Sequence, residues 1–460
     1  MPQSEFHFSI SERKVYLRFF DVLIPLLSLY AIGYLYDYQY FNFSNPQISR
    51  WIISLSIYLL FFGEVFEMYN LKIASDKYLT LRSTILTVIF TTLFYIFTPI
   101  FSPVLPENRL QIVYFSSVVL VSILINRFIY IQFIFSPRFL KNLLVIAEED
   151  EIDIIKTCQK NKEIHILKCY VSNRKHKQLS DIDYYDIENV TLNSLISKHA
   201  INEIIVSSNS NFISKNINNQ LIVLFKNGNS IKSVDSFIED ETYRISENRL
   251  HHNFYNYFTF SKSHQNNLYI SFLRIIDILM SIVGIIFFIV LIPIVFIGNL
   301  LNNRGPLMYT QLRVGKKGEE FKIIKFRSMI PNAEKNGVVW AQKNDRRVTR
   351  FGRLLRKTRI DEVPQFINVL KGEMSLIGPR PERPEFVVQL ENEIPYYSMR
   401  HVVKPGLTGW AQVMHPYANT VNDQREKLMY DLYYIKERNL LLDFKIIVKT
   451  ISTILFFRGT

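Results

Sequence analysis

The sequence predicts a membrane α/β protein in three parts: a four-helix transmembrane N-terminal region, a parallel-sheet module, and a mostly helical C-terminal domain with a re-entrant membrane helix. Three observations carry that prediction. Four apolar stretches crowd the first third, a strand–helix alternation follows, and glycine, proline and arginine return after Ser263. Hydrophobic residues make up 48% of the 460, with 36 Phe and 26 Tyr, which fits a chain part in lipid and part in water.

The four stretches are approximately Phe19–Tyr36, Trp51–Phe66, Ser83–Phe101 and Leu110–Phe135, within residues 1–139. Each is close to the ~20 residues that cross a bilayer, and aromatic residues gather at their ends as interfacial anchors. Arg13, Lys14 and Arg18 precede the first, and Lys72, Lys77 and Arg82 separate the second from the third. Arg138 and Lys141 follow the fourth, whereas the opposite loops carry little beyond Arg50 and Arg109. The positive-inside rule then predicts a cytoplasmic N-terminus and a cytoplasmic location for everything after Phe135. The first residues contain Glu5 and Glu12 and no apolar core, so they do not read as a cleaved signal peptide.

Residues 140–262 have a soluble texture. Leu143–Ala147, Ile164–Val171, Glu203–Ser207 and Ile231–Phe237 read as short buried strands, separated by helical segments such as Glu151–Gln159 and Ile213–Phe225. That alternation predicts a parallel sheet with crossover helices. A dinucleotide site in such a sheet needs a glycine-rich turn after the first strand. Here the turn reads Ala147-Glu148-Glu149-Asp150-Glu151, with no glycine and four carboxylates that repel pyrophosphate. The reading is a degenerate Rossmann-like module that binds no dinucleotide and serves homodimerisation, regulation or spacing. Cys158 and Cys169 are the only cysteines, so neither a disulfide framework nor a zinc site is expected.

Residues 263–460 open with the apolar run Ile278–Leu301, flanked by Arg274, Asp277 and Arg304 and containing Pro293. A straight fifth span would export a segment holding Lys316, Lys317, Lys322, Lys325, Arg327, Arg346, Arg347, Arg350, Arg353 and Arg356, against the positive-inside rule. A helix broken at Pro293 that turns back resolves the conflict. Further on, Phe351, Leu354 and Leu355 oppose Arg350, Arg353, Arg356 and Lys357, the pattern of a helix lying on anionic headgroups. Leu428–Phe457 repeats it. The net charge of +13 suits anionic lipid or a phosphorylated substrate, with nucleic acid the weakest alternative.

The densest chemistry lies in Arg353-Leu-Leu-Arg356-Lys-Thr-Arg359-Ile-Asp361-Glu362-Val-Pro364 and in Gly378-Pro379-Arg380-Pro381. Adjacent acids at a helix start, with Pro364 in the first turn, also suit a simple cap. The surrounding cations shift the balance, because they keep both carboxylates ionised for nucleophilic attack or metal binding. Magnesium is the natural ion, being content with one or two carboxylates plus substrate phosphate. The Gly/Pro frame aims the Arg380 guanidinium, whose planar fork suits phosphate. Alternation along Lys322–Met329 puts Lys325 and Arg327 on one strand face, lining an anion site or simply exposed. His401 and His415 are isolated and are not expected to bind metal, while Trp410 and Tyr417 suit either ring stacking on a ligand or packing.

These motifs resemble the bacterial sugar transferases that move a hexose 1-phosphate from a UDP-sugar to a polyprenyl phosphate. The matching stretches run in order through Arg274-Ile-Ile-Asp277, Gly305-Pro306, Gln311-Leu-Arg313-Val-Gly315 and Phe321–Met329. They continue through Asp345–Gly352, Asp361-Glu362, Gly378–Pro381, Lys404–Gln412 and Tyr430-Asp431. The resemblance implies that Asp361 attacks the sugar-bearing phosphorus, releases UMP and carries the phosphosugar until undecaprenyl phosphate takes it. It implies magnesium on Glu362, phosphate binding by Arg356 and Arg380 with help from Lys325 and Arg327, and a membrane hairpin bent at Pro293. Family members often have serine before that proline, whereas Ile292 stands here. The implied location is the bacterial inner (cytoplasmic) membrane, with the catalytic domain on the cytoplasmic face and glucose or galactose the first-guess sugar. Two rivals remain: a membrane-tethered nucleotide-sugar oxidoreductase working through the middle module, and a non-catalytic scaffold.

Overall fold

The structure is a computed structural model that describes residues 10–36, 40–70, 74, 77–134, 141–159, 165–176, 179, 182–209, 211–246, 266–302, 305–331, 333, 345–394, 396–415 and 420–455. Glu5, Lys72, Arg138, Arg304 and Tyr417, and the expected domain change at 262/263, lie outside these residues. The chain divides into two compact units, Met1–Val234 and Asp235–Thr460.

The first unit opens with four apolar helices, α1 (Ile10–Tyr36), α2 (Ile48–Val65), α3 (Lys77–Ile96) and α4 (Leu110–Ile129). Each contains a stretch long and apolar enough to cross a membrane. Leu17, Leu55, Tyr95, Phe115 and Ile123 fill their shared core, while Ile53, Ile57, Val121 and Ile125 face outward. A buried Asp21–Arg127 ion pair ties α1 to α4, with Asn126 donating to the same carboxylate.

A five-stranded parallel sheet follows in the order β3-β2-β1-β4-β5. Its strands are β1 (Lys141–Ile146), β2 (His165–Ser172), β3 (Asp183–Asp186), β4 (Glu203–Val206) and β5 (Ser230–Ser233), with α5 (Glu149–Gln159), α6 (Leu192–His199) and α7 (Lys215–Lys226) between them. Leu144, Ile146, Val171 and Ile204 bury their side chains beneath the helices. After β1, the Glu151 carboxylate accepts the amides of Glu148 and Ser208. An acid in the first turn of α5 thus caps its own helix end. The strand expected over Ile231–Phe237 ends at Ser233, and α8 (Val234–Thr242) begins at once. Apolar Val234, Phe237 and Ile238 recur at helical spacing and are buried, so period 3.6 overrides the β-like composition.

In the second unit, α8 packs onto the C-terminal helices: Glu239 pairs with Lys436, and the Ile245 amide bonds to Met429. The two units therefore divide at the first residue of α8, between Val234 and Asp235. The long helix α9 (Asn267–Asn302) continues through Pro293, where the sequence led us to expect a break. Its buried stripe Asp277, Ser281, Gly284, Phe288, Leu291, Val295 and Asn299 follows i, i+3/i+4 spacing without a gap. Packing flanks the lost hydrogen bond on both sides of Pro293: the Phe366 ring lies against Gly284 and the Phe351 ring against Gly298, where a Cβ would meet ring carbons at 2.4 and 2.2 Å. The other faces of α9 expose Leu279, Val283, Ile286, Val290, Ile294 and Ile297.

An antiparallel pair, β6 (Met308–Val314) and β7 (Glu320–Phe326), follows. Next come α10 (Arg350–Lys357), a 3₁₀ turn (Ile360–Gln365) and α11 (Phe366–Lys371). Then β8 (Ser375–Ile377) pairs in parallel with β9 (Gly406–Thr408). Four further helices complete the unit: α12 (Pro384–Glu393), α13 (Trp410–Met414), α14 (Val421–Glu437) and α15 (Leu440–Leu455). Trp410 is a packing residue: it is 1% exposed and its indole donates to the Tyr243 carbonyl.

Candidate active site

Asp361 and Glu362 begin a 3₁₀ turn entered through Arg359, which adopts left-handed backbone angles (φ 59). Such a conformation costs a non-glycine residue free energy and persists only where the surrounding structure holds it. The preceding α10 is capped by Thr349, whose hydroxyl accepts the Gly352 amide. The following α11 is pinned to β7 by Asn368, whose side chain accepts from the Ile324 amide at 3.1 Å and donates to the Lys322 carbonyl at 2.7 Å. This clasp sets the acidic turn against the strand that carries Lys325.

The two carboxylates have opposite surroundings. Glu362 Oε1 accepts from Lys325 Nζ at 3.1 Å and from Arg380 Nη2 at 2.7 Å, while Oε2 lies 3.3 Å from Arg359 Nη1. Burial alone would raise the Glu362 carboxyl, but Arg380, Lys325 and Arg359 outweigh it and hold it well below the usual range. Asp361 is 7% exposed, and its Oδ1 is buried without a hydrogen-bond partner. Burial, then the charge of Glu362, pushes the Asp361 carboxyl up to about 6, with Lys325 and Arg356 opposing. One acid is clamped and the other is left with an unused oxygen, as a nucleophile requires.

Lys325 and Arg380 therefore converge on Glu362, and Arg356 lies near the pair on the buried side of α10, where its Nε donates to Ser328 Oγ at 2.9 Å. Arg327 falls just beyond the end of β7, donates to the Pro306 carbonyl and lies over the Tyr309 ring, beside the start of β6. Pro293 sits within α9, between the Gly284 and Gly298 contacts. Sequence reasoning did not single out Arg359, Ser328 or Asn368. The i, i+3 spacing of Arg359 and Glu362 was the available signal for the first; the other two act through chain segments distant in sequence.

Lys325, Arg356, Arg359 and Arg380 exceed Asp361 and Glu362 in charge, so the site suits a diphosphate. For magnesium the donor set fits: hard carboxylate oxygens, with Glu362 Oε2 held only by the longest of the three contacts and Asp361 Oδ1 unpartnered. Among the described residues no group of three or more His, Cys, Asp or Glu could hold a metal, so a bound ion would rely on substrate phosphate for further ligands.

Comparison with known proteins bears on this site. The family described as bacterial sugar transferase matches residues 268–457. An Aeromonas hydrophila protein named UDP-N-acetylgalactosamine-undecaprenyl-phosphate N-acetylgalactosaminephosphotransferase is 52% identical over 182 residues, covering 40% of this chain and 43% of its own. A Bacillus subtilis protein, provisionally named an undecaprenyl-phosphate N-acetylgalactosaminyl 1-phosphate transferase, is 49% identical over 142 residues, covering 31% of this chain and 79% of its own. A Klebsiella pneumoniae UDP-glucose:undecaprenyl-phosphate glucose-1-phosphate transferase is 38% identical over 188 residues, 40% of each chain. This chain thus spans less than half the length of the Aeromonas and Klebsiella relatives it matches. With most of the short Bacillus relative covered at close to half identity, the chain belongs to the bacterial sugar transferase family.

Proposed function

We propose that the protein transfers a hexose 1-phosphate from a UDP-sugar to undecaprenyl phosphate and releases UMP, the opening step of a lipid-linked polysaccharide. The observation that carries this reading is the split pair: an unpartnered buried Asp361 oxygen beside a Glu362 clamped by three cations. Asp361 attacks the sugar-bearing phosphorus, a P–O bond forms, and the bond to UMP breaks with its electron pair leaving on UMP. An oxygen of the lipid phosphate then attacks the same phosphorus and returns the carboxylate. Lys325, Arg356, Arg359 and Arg380 offset the charge that builds on the transferring group. Glu362 would hold a magnesium ion, which when bound would supply further neutralisation of the diphosphate.

Two of the relatives with the highest identity are named for N-acetylgalactosamine and those named for glucose match less well, which favours an N-acetylhexosamine donor over the glucose or galactose first expected. On membrane topology, α1 to α4 cross the inner membrane, and α9 enters one leaflet and returns both ends to the cytoplasm, with Pro293 its weak point. Support comes from the packing. Arg274 near one end donates to the Val369 and Leu370 carbonyls, and Asn299 near the other donates to the Gly305 carbonyl. From Asp277 to Asn299 a helix rises roughly 33 Å at about 1.5 Å per residue, the thickness of the hydrocarbon core. A straight span would drag the charged unit packed along it into lipid. The sheet module joins two copies in this reading, which size measurement in detergent tests.

The test incubates membranes with UDP-N-acetylgalactosamine or UDP-glucose, undecaprenyl phosphate and magnesium, and follows sugar in the lipid fraction and the nucleotide released. UMP is expected, Asp361→Asn is expected to be inactive, and donor alone should leave the phosphosugar on the Asp361 peptide. UDP as product would mean glycosyl transfer and overturn the mechanism.

A further inference from the structure

The turn that carries Arg380 has little of its own to hold it. Pro379 and Pro381 flank the arginine and donate no amide, and the turn lies between β8 and α12, outside any ladder. Yet four successive carbonyls are each fixed. Pro379 O accepts from the Gly406 amide at 2.9 Å, Arg380 O from Arg400 Nη2 at 2.9 Å, Pro381 O from Arg313 Nη1 at 3.0 Å, and Glu382 O from the Val314 amide at 2.9 Å. Two of the four donors are side-chain guanidiniums brought from elsewhere in the unit.

Those guanidiniums belong to a buried ionic network. Arg400 and Asp431 lie 2.8 Å apart and are each 2% exposed, and Arg400 Nη1 also donates to the Tyr397 hydroxyl. Lys427 Nζ is 2.7 Å from Glu382, whose other oxygen lies 3.6 Å from Arg313. Lys427 and Asp431 are i, i+4 on one face of α14, so that helix buttresses both halves. Burial would raise the Glu382 carboxyl, yet Lys427, Arg400 and Arg313 bring it down to about 2, so the network stays charged. A buried ion network of this kind is a poor source of stability, since apolar residues of like volume often serve as well or better. Fixed geometry is what the network supplies and an apolar core would not.

We infer that Arg400, with Arg313, is a positioning residue: it grips the Arg380 backbone so that the Arg380 guanidinium meets Glu362 without reorganising at the moment of transfer. The inference rests on the proposed transferase reading. It names a function for two arginines that touch neither carboxylate of the site.

The experiment is a double-mutant cycle on UMP release from UDP-sugar in a single turnover, with melting temperature measured in parallel. Wild-type release of UMP is the control; its absence would defeat the transferase reading, not the positioning. Given that control, Arg400→Lys keeps a charge for Asp431 but not the fork that also reaches the Arg380 carbonyl. We expect a fall of about 10- to 100-fold in rate, the scale of a ~1 Å misplacement, and no further fall when Arg400→Lys is added to Arg380→Ala. The same factor lost in both backgrounds, or a folded Arg400→Lys protein within twofold of wild type, overturns the proposal. Should Arg400→Lys fail to fold, Tyr397→Phe decides, because it keeps every charge and removes only the hydroxyl that braces Arg400. A several-fold loss that vanishes in the Arg380→Ala background supports the proposal, and an unchanged rate sinks it.

Discussion

Asp361→Asn should abolish turnover and yet stabilise the fold. Asp361 is 7% exposed, its Oδ1 has no partner, and burial plus the neighbouring Glu362 charge pushes its carboxyl from 3.8 up to about 6. Keeping it ionised at neutral pH therefore costs the folded state roughly 3 kcal/mol, at about 1.4 kcal/mol per tenfold change. Because the folded value lies above the unfolded one, that cost is complete above about 6 and disappears as pH falls below 3.8. Asparagine keeps the shape without the charge. With relaxation of the site discounted, the gain at pH 7.5 should be about 1–3 kcal/mol, or ~2–10 °C in melting temperature for a unit of this size. At pH 5 about half should remain. Glu362→Gln should act oppositely, since Glu362 is held well below its ordinary value and contributes stability above that value that is lost as pH falls. The assay is thermal unfolding in detergent with a chelator present. An Asp361→Asn protein that melts below wild type at pH 7.5, or gains equally at both pH values, would refute the electrostatic reading.

The same surroundings predict rate. Donor-only UMP release should fall tenfold per pH unit below about 6, and Glu362→Gln should move that midpoint down by removing the like charge, whereas Arg356→Gln should move it up; a flat profile from pH 5 to 8 would exclude Asp361 as the titrating nucleophile. Chelation should suppress release and magnesium restore it, and turnover indifferent to chelator would remove the metal role given to Glu362. Gly298→Leu should lower stability by about 1–3 kcal/mol or more, because even a Cβ there meets the Phe351 ring at 2.2 Å; unchanged melting would mean that the ring is free to leave. In a background with Cys158 and Cys169 replaced, cysteines at Asn267 and Asn302 should both react with a membrane-impermeant maleimide from the cytoplasmic side only, and outside labelling of either would mean that α9 crosses.

Much of this was legible in sequence for definite physical reasons. The membrane helices announce themselves by length and apolarity, and β1, β2 and β4 by short runs buried on both faces. The Asp361-Glu362 turn stood out because its cations are local in sequence. What failed to show was β3, whose Asp183-Tyr-Tyr-Asp186 is a polar edge strand fixed by its partner β2 and not by its own pattern. The start of α8 was hidden by β-branched Ile231 and Val234 in one run. Arg400, Asp431, Lys427 and Arg313 were invisible as a set, since they come from three stretches of chain and their pairing exists only after folding. Arg327 keeps the face that alternation predicts although β7 stops one residue earlier, since its guanidinium lies over the Tyr309 ring and Tyr309 pairs with Lys325 across the ladder.

The helix α10 ties the site to the bilayer in the proposed arrangement. Arg350, Arg353, Leu354 and Lys357 are exposed at i, i+3, i+4 and i+7, one face of a single eight-residue helix. Gly352 and Leu355 are buried, and Arg356 turns inward toward Ser328 and the carboxylates. A helix is only about 10 Å across, so a face resting on anionic headgroups puts Arg356 within about that distance of them. An undecaprenyl phosphate then has no need to leave the interface, since its charged end already lies at the depth of Asp361. This also explains why cations outnumber acids on both sides of α10: one face meets lipid phosphates that stay in place, and the other meets the phosphate that moves.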